Sequence, residues 1–410
     1  MGIRRFASAL LAVALGAAAL ATAGGSAAAA GKPVKIKLLW LVETKGESVN
    51  AVPYYDDGAK LAAQQLGPNK VAYSRIPAPL VPAQAQTALL QAIDQHPDAI
   101  VGLPAASQVI PLSPTIAQSG IPFFALTSAT QILKNGGAGA PNLYSVRPLA
   151  NDTAIAVANY VTKTLKAKRI GMLCVQNALG TDSCNAVRKP IADAGASIVA
   201  ERTNSTTATD LTDAVLAMKQ ANVDVVLDFN FPNPLGVFAN QLIQNGVDVP
   251  HIATSSAGVE ANAKVVTGQA LANLRGVDEC APESDPSPAA KKFVKDYMTA
   301  YGYAPLYSSV ESYDMVKFLY AAAQKAGSTD PAKLLKAVNS MSYKGICATY
   351  HPDAGNLLVH TAGLMKWDAS GLEKVAVKLT FPPVGSVASG AATTTTGVSA
   401  SSSTSTTAKP

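Results

Sequence analysis

The sequence predicts an α/β protein built as two doubly wound lobes. Three observations carry that reading. Short, almost wholly apolar runs such as Val34–Val42, Asp98–Gly102, Arg169–Val175 and Val223–Leu227 alternate with amphipathic helical stretches. That is the pattern of parallel strands covered by helices on both faces. The alternation runs once, then restarts near Asn151 in a second block of similar size. Of the 410 residues, 48% are hydrophobic and only 15% charged, which is enough for sizeable cores and unlike a disordered chain.

In the first block, Val34–Val42 is a strand and Tyr55–Gln65 a helix. Val71–Ile76 (strand), Pro82–Gln95 (helix) and Asp98–Gly102 (strand) follow. Pro111–Gln118 then reads as a helix and Ile121–Ala125 as a strand. In the second block, helix Thr153–Leu165 precedes strand Arg169–Val175. Helix Ser183–Ala194 is closed by Gly195, a residue type suited to a C-cap. Ser197–Glu201 is a strand, and Thr209 or Asp210 caps a helix over Asp210–Gln220. Val223–Leu227 is a strand, Leu235–Asn245 a helix closed by Gly246, and His251–Ala253 opens another strand. Past Asp278 the pattern turns helical: Pro288–Tyr301, Ser308–Ala326 and Pro331–Met341. Tyr343–Trp367 is turn-rich, then strand-like. In doubly wound sheets ligands sit at the carboxyl ends of the strands, so two lobes point to a cleft between them.

The two ends read differently. Arg4 and Arg5, the apolar run Phe6–Leu20 and the small residues Ala27–Ala30 form an export signal over residues 1–30. The apolar run is shorter than the roughly 20 residues of a membrane span. Residues 382–410 are almost entirely Gly, Ala, Ser, Thr and Val, and are expected to be a disordered tail, or a glycosylated stalk. Four cysteines, Cys174, Cys184, Cys280 and Cys347, in an exported chain favour disulfides over free thiols or zinc. Of the three possible pairings, Cys174–Cys184 with Cys280–Cys347 is preferred; the first closes a short strand-to-helix loop.

Enzyme and nucleic-acid classes find little support. The net charge of +6 is mild, and no basic block is interleaved with aromatics. His96, His251, His351 and His360 are not at metal-ligand spacing. No G-x-S-x-G elbow or phosphate-binding G-x-x-x-x-G-K-[ST] loop occurs. Gly136–Gly139 precedes Pro141 and opens no helix, and the neighbours Asp56 and Asp57 do not face each other on a helix. Neither a cofactor nor a metal is expected.

Several stretches, in order, resemble one family. They are Asp57–Ala62; Ala99–Gly102 with Ser107; Gly120–Pro122 through Thr130; Lys168–Gly171 with Leu179-Gly180; Thr209–Leu211; Val223–Val226; Gln241–Gly246; and Tyr343–Gly345 leading to Asp353–Asn356. Together they resemble the leucine/isoleucine/valine-type solute-binding proteins of ABC importers, over about residues 34–379. The resemblance implies the type I periplasmic binding fold: two Rossmann-like lobes joined by three hinge crossovers, closing on ligand by hinge motion. The crossovers are expected near Val146–Leu149, Arg275–Cys280 and Met341–Cys347. The first lobe is then 33–147 plus 279–342, and the second 148–278 plus 343–381.

The resemblance also implies a site. Ser107, Ala129 and Thr130 match loops that hold a ligand carboxylate, a task suited to hydroxyls and free N–H groups at helix starts. Glu43, Thr44 and Lys45 follow the first strand and read better as a solvated loop. The second lobe departs from the family pattern. Leu179 stands where amino-acid binders carry an aromatic. Phe231, in preference to Phe229, fills a second aromatic position. Thr254-Ser255-Ser256 replaces the acid that holds the ligand ammonium, with Ser255 the expected contact. Either Asp228 or Glu260 substitutes, or the ligand lacks an α-ammonium, because a buried ammonium without a carboxylate is costly. The expected partners are a small ligand and a membrane permease, with the chain a monomer. The alternative is a sensor reporting to a membrane signalling partner.

Overall fold

The computed structural model describes residues 34–43, 52–133, 140–253, 266–368 and 371–381. The expected export signal and C-terminal tail lie outside them.

Among the described residues, β1 (Ile36–Val42), β2 (Val71–Pro77), β3 (Ala99–Gly102), β4 (Phe123–Ala125) and β5 (Leu143–Ser145) form a parallel sheet in the order β2-β1-β3-β4-β5. Helices α1 (Val52–Leu66), α2 (Pro82–Asp94) and α3 (Ala106–Ser119) make its early connections. The apolar run of β1 feeds both faces by its two-residue period. Leu38, Trp40 and Val42 enter one core, while Leu39 and Leu41 enter the other beside Leu89, Val109 and Ile116. α3 begins earlier than the expected Pro111, because Gln108 turns back to accept a hydrogen bond from the Ala105 N–H at 3.3 Å.

The second sheet has the order β14-β13-β10-β9-β8-β6-β7. Its parallel part holds β6 (Arg169–Val175), β7 (Ser197–Asn204), β8 (Val225–Phe229), β9 (His251–Ala253) and β10 (Leu274–Asp278). β13 (Thr361–Trp367) and β14 (Glu373–Thr380) add antiparallel at the edge. Helices α4 (Ala150–Asn159), α5 (Ala178–Asp193), α6 (Thr212–Gln220), α7 (Pro232–Gln244) and α8 (Gly268–Asn273) accompany it. α5 starts five residues before the expected Ser183, because the Asn177 side chain caps it by accepting from the Gly180 N–H at 3.1 Å.

Three later helices, α9 (Pro288–Tyr301), α10 (Tyr307–Ala326) and α11 (Pro331–Asn339), return to the first sheet. Phe293, Tyr297, Phe318 and Leu334 join Trp40 and Phe124 in its core. The third crossover corrects the expectation. It falls near His360, not at Met341–Cys347, so 343–359 pack with the first lobe. β11 (Tyr343–Lys344) and β12 (Thr349–Tyr350) form a small hairpin, and Tyr350, Leu358 and Val359 sit in the first core. The backbone extends β5: the Ser145 N–H donates to Asn356 O at 3.0 Å and the Leu358 N–H to Ser145 O at 2.9 Å. Asp314 on α10 accepts from the backbone N–H groups of Ile346 and Cys347 at 2.8 and 3.2 Å. The cysteines pair as Cys174–Cys184 and Cys280–Cys347, with Cα separations of 6.4 and 5.1 Å. No helix among the described residues is long and apolar enough to cross a membrane.

Candidate functional site

The strands of both sheets deliver their following loops at carboxyl ends, the side on which doubly wound sheets bind ligands. After β3, Gly102 has φ 145°, and a Cβ there would strike the Leu41 backbone, so glycine is required for the chain to leave the sheet. Ser107 follows, exposed in the first turn of α3. After β4, Ala129 is buried. The Thr130 Oγ1 beside it is shut off from solvent and has no hydrogen-bond partner. Ser145 Oγ fixes this loop by donating to Thr127 O at 2.6 Å.

In the second lobe, Leu179 is half-buried in the first turn of α5. Its neighbour Gly180 lies against Val175 so closely that a Cβ would collide with the carbonyl. The Cys174–Cys184 disulfide ties the end of β6 to the same helix. Phe231 is partly exposed at the start of α7, whereas Phe229 is fully buried in the lobe core. Ser255, Thr254, Ser256 and Glu260 lie outside the described residues, as do Thr44 and Lys45. Glu43, expected in a solvated loop, is instead buried.

The two sets of loops meet directly. Gln131, next to Thr130, donates from Nε2 to Asp182 Oδ2 of α5 at 2.8 Å. Asp228, weighed as a substitute ammonium partner, is committed elsewhere. It has no exposure, lies 2.9 Å from His251 Nε2, and accepts from Asn230 Nδ2 at 2.9 Å. It belongs to the second lobe's interior.

Sequence reasoning missed a charged cluster where the first crossover meets the first-lobe helices α1 and α10. Arg147, just past β5 in the first crossover, donates from Nε and Nη2 to the Glu311 carboxylate at 3.0 and 2.8 Å. It also donates to the Tyr55 hydroxyl, and its guanidinium lies 5.0 Å from the Tyr307 ring centroid. Glu279, the first residue past β10, stands in the second crossover. Its Oε2 is sealed from solvent and accepts no hydrogen bond, although the residue keeps some exposure. Burial pushes its carboxyl above the usual range; Arg147 opposes the rise and Glu311 adds to it. Burial also raises the Tyr55 hydroxyl, against the pull of Arg147. One sequence signal was available: Glu311 and Asp314 are the two acids of the helical stretch Tyr307–Ala326, and the fold buries both almost completely.

Comparison with known proteins follows this geometry. A family model described as periplasmic binding protein matches residues 35–372. A Leu/Ile/Val-binding protein homolog 7 from Brucella abortus (strain 2308) is 24% identical over 250 residues, 58% of this chain and 61% of the relative. The chain thus matches about three-fifths of that relative's length. Among solved structures, a leucine binding protein from Thermotoga maritima superposes with TM-score 0.74 at 18% identity, covering 84% of this chain and 99% of that one. A solute binding protein from R. palustris, in complex with benzoate, gives TM-score 0.74 at 18% identity over 86% of this chain and 98% of that one. At these identities the structural likeness speaks for the fold.

Proposed function

Because the chain belongs to the periplasmic binding protein family, we propose that it is the extracytoplasmic receptor of an ABC importer. It captures a branched-chain amino acid, or a related small carboxylate or amide, between its lobes and presents the closed complex to a membrane permease. The observation that carries this reading is the cross-lobe meeting of strand-end loops at Gln131 and Asp182. A contact of this kind, made by one side chain from each lobe, is one that hinge closure makes and opening breaks. In this reading Ser107, Ala129 and Thr130 hold the ligand carboxylate. Leu179, Phe231 and Ser255 line the opposite wall, and the export signal over 1–30 directs the chain out of the cytoplasm. The chain works as a monomer.

A thermal-shift screen of the mature protein tests it, with branched-chain, aromatic and polar amino acids, short amides, and aliphatic and aromatic acids. A ligand at about 100 times its Kd adds roughly 2.7 kcal/mol to the folded state, a visible rise in melting temperature. A saturable shift without turnover of the ligand is the expected result. Consumption of the ligand, or no shift with any compound, counts against the receptor.

A further inference from the structure

We propose that the Cys174–Cys184 disulfide is a positioning pair for ligand capture. It holds the second-lobe turn 175–183 in its binding shape before a ligand arrives, so that removing the bond weakens binding without unfolding the lobe. The proposal rests on the receptor reading and names a further determinant of the same cleft. Three observations carry it.

The first is where the turn sits. It leaves the carboxyl end of β6 and runs into the first turns of α5. It carries Leu179, expected in the ligand wall, and Asp182, which accepts from Gln131 Nε2 of the other lobe at 2.8 Å. A displacement of this turn therefore moves one wall of the cleft and half of the lobe-to-lobe contact together.

The second is how little apolar packing holds it. Cys174, Cys184, Val187 and Ile191 belong to the second lobe's core, but no described residue of 176–183 does. The start of α5 thus projects beyond the core that anchors the rest of the helix. Local polar contacts shape the turn from within. Asn177 accepts from the Gly180 N–H at 3.1 Å, and the Gln176 N–H donates to Asn204 O at 2.9 Å. The disulfide closes the same turn at both ends, between two buried cysteines. Cys174 is a firm anchor, because β6 is paired on both sides, with β7 and with β8.

The third is loop length. Cys174 and Cys184 are 10 positions apart, whereas Cys280 and Cys347 are 67 apart. A cross-link stabilises a fold mainly by restricting the unfolded chain, and does so less for a shorter loop. Cys280–Cys347 fastens distant segments. Cys174–Cys184 joins a strand to the helix that directly follows it, so its larger effect is on local order. Order set on folding need not be created on binding, and pre-organisation of this kind raises affinity.

The test uses the full mature protein. Cys174→Val with Cys184→Ala removes the bond and keeps apolar side chains in the core. Ile191→Val loosens the same core further along α5 and leaves the turn alone. Hydrogen exchange of the unliganded proteins reads the order of 176–183. Calorimetric titration well below the melting temperature, with leucine, isoleucine, valine, phenylalanine and benzoate, reads affinity. The disulfide variant is expected to fold, to exchange faster in 176–183, and to bind the tightest of these probes roughly tenfold or more weakly. Ile191→Val is expected to melt earlier with unchanged affinity. In an Asp182→Ala background the loss on removing the disulfide should shrink, because one group that it places is gone. Unchanged affinity in the disulfide variant overturns the assignment and leaves the receptor reading intact. So does an equal loss in Ile191→Val, which makes the effect one of lobe stability. Wild-type binding of none of the probes counts against the receptor and takes the assignment with it. Should the disulfide variant fail to fold, Asn177→Ala loosens the same turn at its cap. Weaker binding with faster exchange in 176–183 then supports the role of a held turn, and unchanged binding overturns it.

Discussion

In the second lobe, Asp228 is buried among short side chains that answer it. His251 and Asn230 contact its two oxygens at 2.9 Å. Asn230 and Asn204 exchange reciprocal hydrogen bonds at 2.8 and 2.9 Å. All four residues sit on or just beyond strands β7, β8 and β9 of one sheet, with β6 lying between β7 and β8. In the first lobe, Asp314 is equally buried, but it holds the backbone of a distant segment, 346–347, and lies near the Tyr350 hydroxyl at 3.4 Å. Glu311, one helical turn earlier, holds Arg147 of the first crossover. The contrast has a structural cause. The second lobe's polar network knits strands of a single sheet, β9 to β8 directly and β8 to β7 across β6. The first lobe uses buried carboxylates on α10 to fasten segments far away in sequence: Arg147 of the first crossover and the 346–347 turn of the β11–β12 hairpin.

The strongest way to break this comparison is to remove the anchor of each network. Arg147→Met leaves the Glu311 carboxylate buried and unpaired, and a broken buried ion pair costs about 3–5 kcal/mol. Asn230→Ala removes neutral hydrogen bonds and should cost about 1–3 kcal/mol. Denaturant unfolding of both variants measures the difference. Equal losses would mean that the two lobes do not differ in how burial is compensated.

The next effect is a pH dependence. Burial pushes Asp314 up to about 7, against the pull of the Cys347 and Ile346 N–H groups and of Lys317. In the unfolded chain the same carboxyl titrates near 3.9. The folded state therefore binds the extra proton between those values. Its contribution to stability is complete below about pH 4 and is lost as pH rises through about 7. The slope is at most ~1.4 kcal/mol per pH unit for one group. Asp314→Asn should flatten the fall in stability between pH 4 and 7. Melting curves across this range decide it, and an unchanged slope in Asp314→Asn would place the titration elsewhere.

How much of this was legible in the sequence follows the same division. The strands of both sheets were readable because runs such as Ile36–Val42 and Arg169–Val175 are apolar on both faces, and a parallel strand buried on both sides cannot be otherwise. The helix starts at α3 and α5 were not, because they rest on Gln108 and Asn177 turning back on their own backbone rather than on hydrophobic period. The third crossover was misplaced because Tyr343–Asn356 has no strong periodicity. Its membership in the first lobe is set by Asp314, far away in sequence, and by pairing beside Ser145. At the candidate site, Ser107, Thr130, Leu179 and Phe231 are expected contacts because they stand at positions matched by the family resemblance, in segments that follow strands. The Arg147–Glu311–Tyr55 cluster was not legible, since its members are separated by more than 90 and 160 positions and only tertiary packing unites them. Asp228 looked available as an isolated acid after a strand, and only its contacts with His251 and Asn230 show that it is not.

The smallest effect sharpens the comparison at the point where the lobes touch. The Gln131–Asp182 bond joins two partly buried side chains, one from each lobe, through a single donor. It fastens no crossover and lies in neither lobe's interior network. Asp182→Ala should therefore change unliganded stability by no more than about 1 kcal/mol, the net worth of one such hydrogen bond. Its cost should appear on closing instead, because a contact made between lobes biases only the state in which they meet. Ligand affinity should weaken by roughly tenfold or less, corresponding to at most ~1.4 kcal/mol, mainly through faster release. Stopped-flow dissociation and thermal melts of the same variant separate the two. A large drop in unliganded melting temperature with unchanged release would make Asp182 part of the second lobe's own framework. It would then join Asp228 in the comparison, instead of serving the contact between lobes.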